Sequence, residues 1–259
     1  MGLLVGRVAI VTGASKGIGR VISKLFSQEG AQVVCAARSA DLVRETVKSI
    51  QAAGGTAVSA VVDLGRELDV RELFQQALRE FGRVDCLVNN AGDGGPTAPI
   101  QDYSFEDWTY TLNSCLTSSY LCARFAVPAM IASGRGSIVN VASMAGKRGL
   151  PHRVGYCSAK AGQLGLTAGL ALELGRYDIT VNAIAPGAVE GDRIDRVIAG
   201  QAGMRGVSVD EQRKIVQGRV PLGRMVTAED IAWAAAFLCS DHARNISGQC
   251  IPINGGDPA

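Results

Sequence analysis

Arg7-Val8-Ala9-Ile10-Val11-Thr12, followed directly by Gly13-Ala14-Ser15-Lys16-Gly17-Ile18-Gly19, is the stretch that decides the fold. A short β-branched run opens into a glycine-rich turn. Ile18, Val21, Ile22, Leu25 and Phe26 then recur at helical spacing. The segment reads as strand, glycine turn, helix. Glycines let backbone approach a phosphate closely, and a helix N-terminus adds free N–H groups and partial positive charge. The spacing is Gly-x-x-x-Gly-x-Gly, distinct from both Gly-x-Gly-x-x-Gly and the Walker A loop. Without its strand and helix, the same turn would read as a flexible surface loop.

Outward from this unit, strand and helix signals alternate to the end of the chain. Apolar strand candidates lie near 7–12, 32–37, 57–62, 84–88, 136–142, 178–184 and 249–253. Helical patterns separate them, as from Asp41 to Ala53 and from Glu67 to Phe81. Such alternation predicts an α/β fold, a doubly wound parallel sheet covered on both faces in three layers. No linker or composition break divides residues 1–259, so one domain is expected. At the end of the second strand stand Ala37 and Arg38, with no carboxylate before Asp41. In a dinucleotide fold an acid there holds a ribose 2′-hydroxyl, whereas an arginine accepts a 2′-phosphate. Arg38, helped by Lys16, therefore favours NADP(H) over NAD(H). The alternative is a solvated arginine at a strand end.

Tyr156-Cys157-Ser158-Ala159-Lys160 carries the chemistry. On a helix, Tyr156 and Lys160 lie one turn apart on one face. A free phenol titrates near pH 10, and a neighbouring ammonium lowers that value. Ser143, at the end of the run Ser137-Ile138-Val139-Asn140-Val141-Ala142, adds a hydroxyl able to hold a substrate oxygen. The spacing alone also suits a half-exposed tyrosine beside a solvated lysine.

Three further segments complete a pattern: Asn89-Asn90-Ala91-Gly92 after an apolar strand, Asn113 in a long helical stretch, and Pro186-Gly187 after Ile179–Ile184. Their order and spacing resemble the compact short-chain dehydrogenase/reductases with a Rossmann-like fold, over roughly residues 3 to 256, with similarity to 3-oxoacyl-thioester reductases. The resemblance implies that Tyr156 is the acid/base, that Lys160 lowers its pKa and binds the nicotinamide ribose, that Ser143 holds the substrate oxygen, and that Asn113 supports a water linking Lys160 to solvent. It implies that Gly13, Ser15, Lys16, Gly17, Ile18 and Gly19 line the cofactor phosphates and ribose. Asp63 and Leu64 would contact adenine, Asn90, Ala91 and Gly92 would shape the floor, and Pro186, Gly187 and Val189 would face the nicotinamide.

The resulting expectation is an NADP(H)-dependent oxidoreductase interconverting a secondary alcohol and a ketone. Two alternatives stand beside it: an NAD-dependent dehydrogenase of a sugar or hydroxy acid, and a non-catalytic dinucleotide-binding sensor. Residues 188–220 break the regular pattern, with a glycine-punctuated stretch from Gly200 to Gly206, and by resemblance form the substrate-covering segment. Many relatives carry Thr-x-Met after Pro-Gly; here Val-Glu-Gly-Asp-Arg stands near that place, so substrate preference does not carry over. Lys147, Arg148, His152 and Arg153 lie between Ser143 and Tyr156, and Arg193 follows Pro186-Gly187. Arg153 and Arg193 are candidate contacts for an anionic substrate; ordinary solvated surface charge is the other reading.

Composition sets the outer bounds. The chain is 47% hydrophobic with a formal charge of +2 and no basic tail, so nucleic-acid binding has no support. No uninterrupted apolar run reads as a bilayer span. Seven cysteines without a Cys-x-x-Cys pair read as core residues of a reducing compartment, the cytoplasm. Two histidines without ligand spacing argue against a metal. The apolar breadth of the helix near 155–175, together with Gly248–Asn254, resembles family interface segments and implies a homotetramer.

Overall fold

The computed structural model describes residues 2–258. Seven parallel strands form one sheet: β1 (Val8–Thr12), β2 (Gln32–Ala37), β3 (Ala57–Val61), β4 (Cys86–Asn89), β5 (Gly136–Val141), β6 (Ile179–Pro186) and β7 (Cys250–Ile253). Their order is β3-β2-β1-β4-β5-β6-β7. The helices are α1 (Gly17–Gln28), α2 (Ala40–Ala52), α3 (Glu67–Phe81), α4 (Phe105–Leu112), α5 (Ser118–Ala132), α6 (Ala145–Arg148), α7 (Val154–Leu174), α8 (Asp192–Arg205), α9 (Val209–Gly218) and α10 (Ala228–Leu238).

The sheet is buried on both faces, which explains its continuous apolar strands: every residue of β1 and β6 is buried. Alternation along β1 divides the core. Ala9 and Val11 pack with Ile22 and Phe26 of α1, Val43 of α2 and Ile231 of α10. Ile10 packs on the other face with Leu73 and Phe74 of α3, Leu121 of α5 and Leu174 of α7. Helix ends follow local chemistry. Gly82 stops α3 in the left-handed conformation at φ +75°. Thr227 and Asp230 form a reciprocal cap at the start of α10.

Chain order reverses between β1 and β4, where one crossover series runs outward to β3 and the other to β7. In open parallel sheets the crevice at that reversal, beyond the C-terminal strand ends, is the ligand site. A buried polar ladder braces the strands below it. Asn89 Nδ2 of β4 donates to Asn140 Oδ1 of β5 at 2.9 Å, and Asn140 Nδ2 donates to Thr167 Oγ1 of α7 at 2.9 Å.

Two sequence expectations change. The glycine-punctuated stretch from Gly200 to Gly206 is helical up to Arg205, and only Gly206 adopts a left-handed φ, +67°, where it ends α8. Gly200 serves packing instead: a Cβ there would lie 3.3 Å from Thr97 Oγ1. The segment after Pro186 is thus a pair of helices anchored by buried Ile198 and Ala202, with Arg213 of α9 ion-paired to Asp195 of α8 at 2.7 Å. Secondly, α4, a π-turn at Asn113–Thr117 and α5 run on as one 28-residue helix, long and apolar enough by composition to cross a membrane. Its α5 part packs on α3, β4 and β5.

Asn140→Leu would leave the buried Asn89 amide with only its longer bond to the Ser119 carbonyl, 3.4 Å, and take the donor from Thr167 Oγ1. A stability loss of about 1–3 kcal/mol is expected, read as a lower denaturant midpoint at unchanged m. An unchanged midpoint would show that the ladder is dispensable.

Candidate active site

The glycine turn is shaped by close approach. Gly13 takes φ +68° and Gly17 φ +54°, conformations that L side chains rarely adopt. A Cβ on Gly13 would come 2.9 Å from Asn90 Nδ2, and one on Gly19 would meet the Gly13 carbonyl oxygen at 2.3 Å. Two residues outside the expected cofactor set hold this geometry. Thr12 Oγ1 accepts from the N–H groups of Asn90 and Ala91, both at 3.0 Å, and donates to the Val88 carbonyl at 3.1 Å. Thr46 Oγ1 of α2 donates to the Ala14 carbonyl at 3.0 Å. Buried threonines beside a glycine turn were the available sequence signal. Lys16 precedes α1 and no side chain caps it, so the first-turn N–H groups have no side-chain acceptor there. Ser15 and Ile18 lie in the same turn, and Lys16 is exposed.

Arg38 is exposed at the end of β2, where its Nη2 lies 3.4 Å from the Tyr110 hydroxyl. It takes part in no ion pair among the described residues. Asp63 is exposed and accepts from Gly65 N at 3.0 Å, while Leu64 is buried in the core beside it. Pro186 ends β6, and its carbonyl accepts from Met144 N at 3.0 Å, tying the Ser143 loop to that strand. Gly187 leaves no room for a side chain: its Cβ would sit 2.9 Å from Asn254 Cβ. Val189 bridges to Val226.

Tyr156 lies in the first turn of α7 and Lys160 in the second. Lys160 is 3% exposed. Its ammonium donates to the Val141 carbonyl at 2.7 Å and to Gln163 Oε1 at 2.8 Å. Gln163 Nε2 in turn donates to Ser119 Oγ at 2.7 Å. A buried cation needs such partners, and Gln163 is a site residue that the sequence reading missed. Its signal was a polar residue three positions beyond Lys160 on an otherwise apolar helix. Lys160 Nζ lies 5.8 Å from the centre of the Tyr156 ring.

Two more cations reach that ring. The Arg153 guanidinium lies 5.1 Å from its centre and that of Arg193 lies 5.2 Å away. Burial pushes the phenol's pKa up, but the charges of Arg193 and Lys160 and a hydrogen bond with Ser143 outweigh it and hold Tyr156 below its ordinary value. Ser143 Oγ also accepts from Ala145 N at 3.1 Å. Ser143, Tyr156 and Lys160 thus lie close together.

Asn113 does not join them. It is exposed, and its Oδ1 accepts from Thr117 Oγ1 at 3.1 Å. The π-turn carries Cys115 inward instead. Its buried thiol donates to the Asp93 carbonyl at 3.1 Å, and a Cβ on Gly92 would meet its Sγ at 2.8 Å. Hydroxyls explain the distorted turn: Ser118 and Ser119 donate to the carbonyls of Ser114 and Cys115 four residues back. Propensity does not reveal a π-turn, and the role that the family resemblance implies for Asn113 falls on a side chain the turn leaves exposed.

A family model described as "Enoyl-(Acyl carrier protein) reductase" matches residues 13–257. Ketoacyl reductase 1 of the granaticin polyketide synthase of Streptomyces violaceoruber is 39% identical, the match covering 96% of this chain and 92% of that protein. The chain belongs to the short-chain dehydrogenase/reductase family. Among solved members, NAD+-bound xylitol dehydrogenase superposes with a TM-score of 0.95 at 32% identity, covering 98% of this chain and 99% of that one. An actinorhodin polyketide ketoreductase variant with NADPH gives 0.94 at 34%, covering 99% and 98%. Membership of this family makes the chain an oxidoreductase, and ketoreductases are among its relatives.

The charge around Tyr156 has a measurable consequence. Arg193→Gln removes a positive charge from beside the phenol, so the phenolate becomes harder to form and the pKa rises. Ultraviolet titration, with Tyr156→Phe as the difference reference, should place phenolate formation at higher pH in Arg193→Gln than in the parent. The ascending limb of alcohol oxidation should move the same way. Coincident titrations would show that Arg193 does not act on the phenol.

Proposed function

We propose that this chain is an NADP(H)-dependent oxidoreductase that interconverts a secondary alcohol and a ketone through Ser143, Tyr156 and Lys160. The observation that carries this reading is a phenol held below its ordinary pKa, with a serine hydroxyl beside it, at the C-terminal edge of a parallel sheet. The glycine cradle fits a dinucleotide, because Gly13, Gly19 and Gly187 each stand where a side chain would collide with backbone or a neighbouring residue. Gly17, Ser15, Lys16 and Ile18 would meet its phosphates and ribose, Asp63 and Leu64 its adenine, and Asn90, Ala91, Gly92, Pro186 and Val189 its nicotinamide half. Arg38, exposed and free of ion pairs among the described residues, would receive a 2′-phosphate.

When bound, the nicotinamide supplies or accepts the hydride. In reduction, Tyr156 gives its proton to the carbonyl oxygen while the Ser143 hydroxyl holds that oxygen. In oxidation, the phenolate removes the hydroxyl proton. A pKa below that of free tyrosine keeps the group useful in both directions. Lys160 stabilises the phenolate from its buried position. Gln163 and the Val141 carbonyl fix that lysine, and no role falls to Asn113. The NAD+-bound xylitol dehydrogenase neighbour favours one second reading, an NAD-dependent polyol or hydroxy-acid dehydrogenase with the same proton chemistry. A pure sensor would not need the buried lysine and its partners. Seven free cysteines, five of them buried, fit the reducing cytoplasm.

Assembly belongs to the same proposal. The outer face of α7 exposes Ala161, Gly165, Ala168, Gly169 and Leu172, the last at 89%. A flat strip of small residues ending in a bare leucine suits a helix pressed against a second copy. The edge strand β7 offers another contact. A homotetramer follows by family resemblance.

NADPH oxidation with a panel of ketones tests the chemistry. Tyr156→Phe should lose about a hundredfold to ten-thousandfold in turnover while NADPH still binds by fluorescence. Arg38→Ala should weaken NADPH by roughly ten- to a hundredfold and NADH far less. Near-normal turnover in Tyr156→Phe, or a parent enzyme that prefers NADH, would overturn the corresponding part. Light scattering at micromolar protein should give the tetramer mass, and Leu172→Glu should lower it; a monomeric parent would refute the assembly.

A further inference from the structure

We infer that Arg153 and Arg193 form one oxyanion site beside Tyr156, so the substrate is a short keto acid or hydroxy acid with its acidic group close to the reacting carbon. This rests on the oxidoreductase reading above for its chemistry, though not for its binding.

The structure divides the basic residues of this region into two groups. Arg148 is neutralised by two hydrogen bonds to Asp257, both 2.6 Å. Lys147 and His152 are exposed. Arg153 is different: it is 6% exposed, yet its bonds run to neutral acceptors, the Gly95 carbonyl and Thr97 Oγ1, each at 3.2 Å. Arg193 reaches back from the first turn of α8 to the Gly92 carbonyl at 3.3 Å. Neither arginine has a carboxylate within ion-pair distance among the described residues. The nearby Asp93 Oδ1 accepts from Gly95 N at 3.1 Å.

The two guanidinium groups also converge. A Cβ on Gly94 would lie 2.1 Å from Arg153 Nη2 and 3.3 Å from Arg193 Nη2. The absence of a side chain at Gly94 is what lets both nitrogens reach one point. Two like charges brought together, one of them buried, with no carboxylate paired to either are unfavourable. The arrangement makes sense when an anion joins them, and planar forks suit a carboxylate.

Position sets the substrate's length. Both guanidinium carbons lie just over 5 Å from the ring centre of the proton donor. Charge-assisted hydrogen bonds are about 2.8 Å long. An oxyanion bridging the arginines and a carbonyl oxygen on the Tyr156 phenol therefore share one small wall of the site, which favours an acidic group a few bonds from the reacting carbon. The phosphates of a coenzyme or carrier arm, many bonds beyond a thioester, cannot occupy that place in the same complex.

The test compares 2-oxopentanoate, 4-oxopentanoate and 7-oxooctanoate with their methyl esters on the NADPH-loaded protein. Binding is read by nicotinamide fluorescence and turnover by NADPH oxidation. An acetoacetyl coenzyme A arm supplies phosphates far from the carbonyl. The two shorter acids should exceed their esters in affinity and in kcat/KM by about tenfold or more, and the preference should vanish for the long acid. Arg193→Gln should lower that acid-to-ester ratio about tenfold. Arg153→Lys, which keeps the charge and protects the fold, should lower it less. Equal acids and esters, a preference that grows with chain length, or an Arg193→Gln effect confined to the coenzyme A substrate would overturn the inference. Short acids that bind through Arg193 without turnover would retain the oxyanion site and remove the oxidoreductase reading. Turnover of ketones without an acid preference would do the reverse.

Discussion

The hydroxyl of Thr12 accepts from two backbone N–H groups, those of Asn90 and Ala91, and donates to the Val88 carbonyl. Asn90 Nδ2 closes the knot by donating to the Thr12 carbonyl at 2.9 Å. These bonds join β1 to β4 where the chain order reverses. A parallel sheet opens there, because its crossovers leave in opposite directions. Unpaired backbone at such a junction would be costly to bury. The knot satisfies those groups and holds the glycine turn against the strand that leads to the site floor. The glycine turn and the proposed site floor at Asn90–Gly92 are therefore positioned by one hydrogen-bond cluster.

The second constraint is electrostatic. Three cations surround one phenol, and two of them, Lys160 and Arg153, are buried. Lys160 is tolerated because Val141 and Gln163 replace its hydration. Arg153 is tolerated through Gly95 and Thr97, although burial still pushes its pKa down and the neighbouring Arg193 adds to that lowering. Such a field favours negative charge on Tyr156 and on whatever lies beside it. The proposed proton transfer and the inferred anion site would thus be linked through the same side chains, Arg193 among them.

The helices after Pro186 bring the third cation to this place. Arg193 acts on Tyr156 only because α8 starts where its first turn faces Gly92 and Gly94. Packing against α9, the buried Ile198 and the close fit of Gly200 on Thr97 set that position. The segment that resembles a substrate cover also carries part of the site's charge.

Much of this was legible in the sequence. The seven strands fall where β-branched runs alternate with helical periods, since a sheet buried on both faces demands continuous apolar strands. α3 runs from Glu67 to Phe81 as its amphipathic pattern implies. Ser143, Tyr156 and Lys160 meet because a strand end and a helix face have fixed periodicities. Tertiary structure alone decided the rest. Whether Asn113 or Cys115 points inward depends on a π-turn, whose extra residue shifts every later side chain around the helix. That Gln163 holds Lys160 depends on how α7 seats against β5 and α5. That Arg153 and Arg193 converge, while Arg148 is neutralised by a residue 109 positions away, depends on contacts between elements distant in the chain. Local propensity acts over one or two turns, and these choices rest on packing between segments that meet only in the folded molecule.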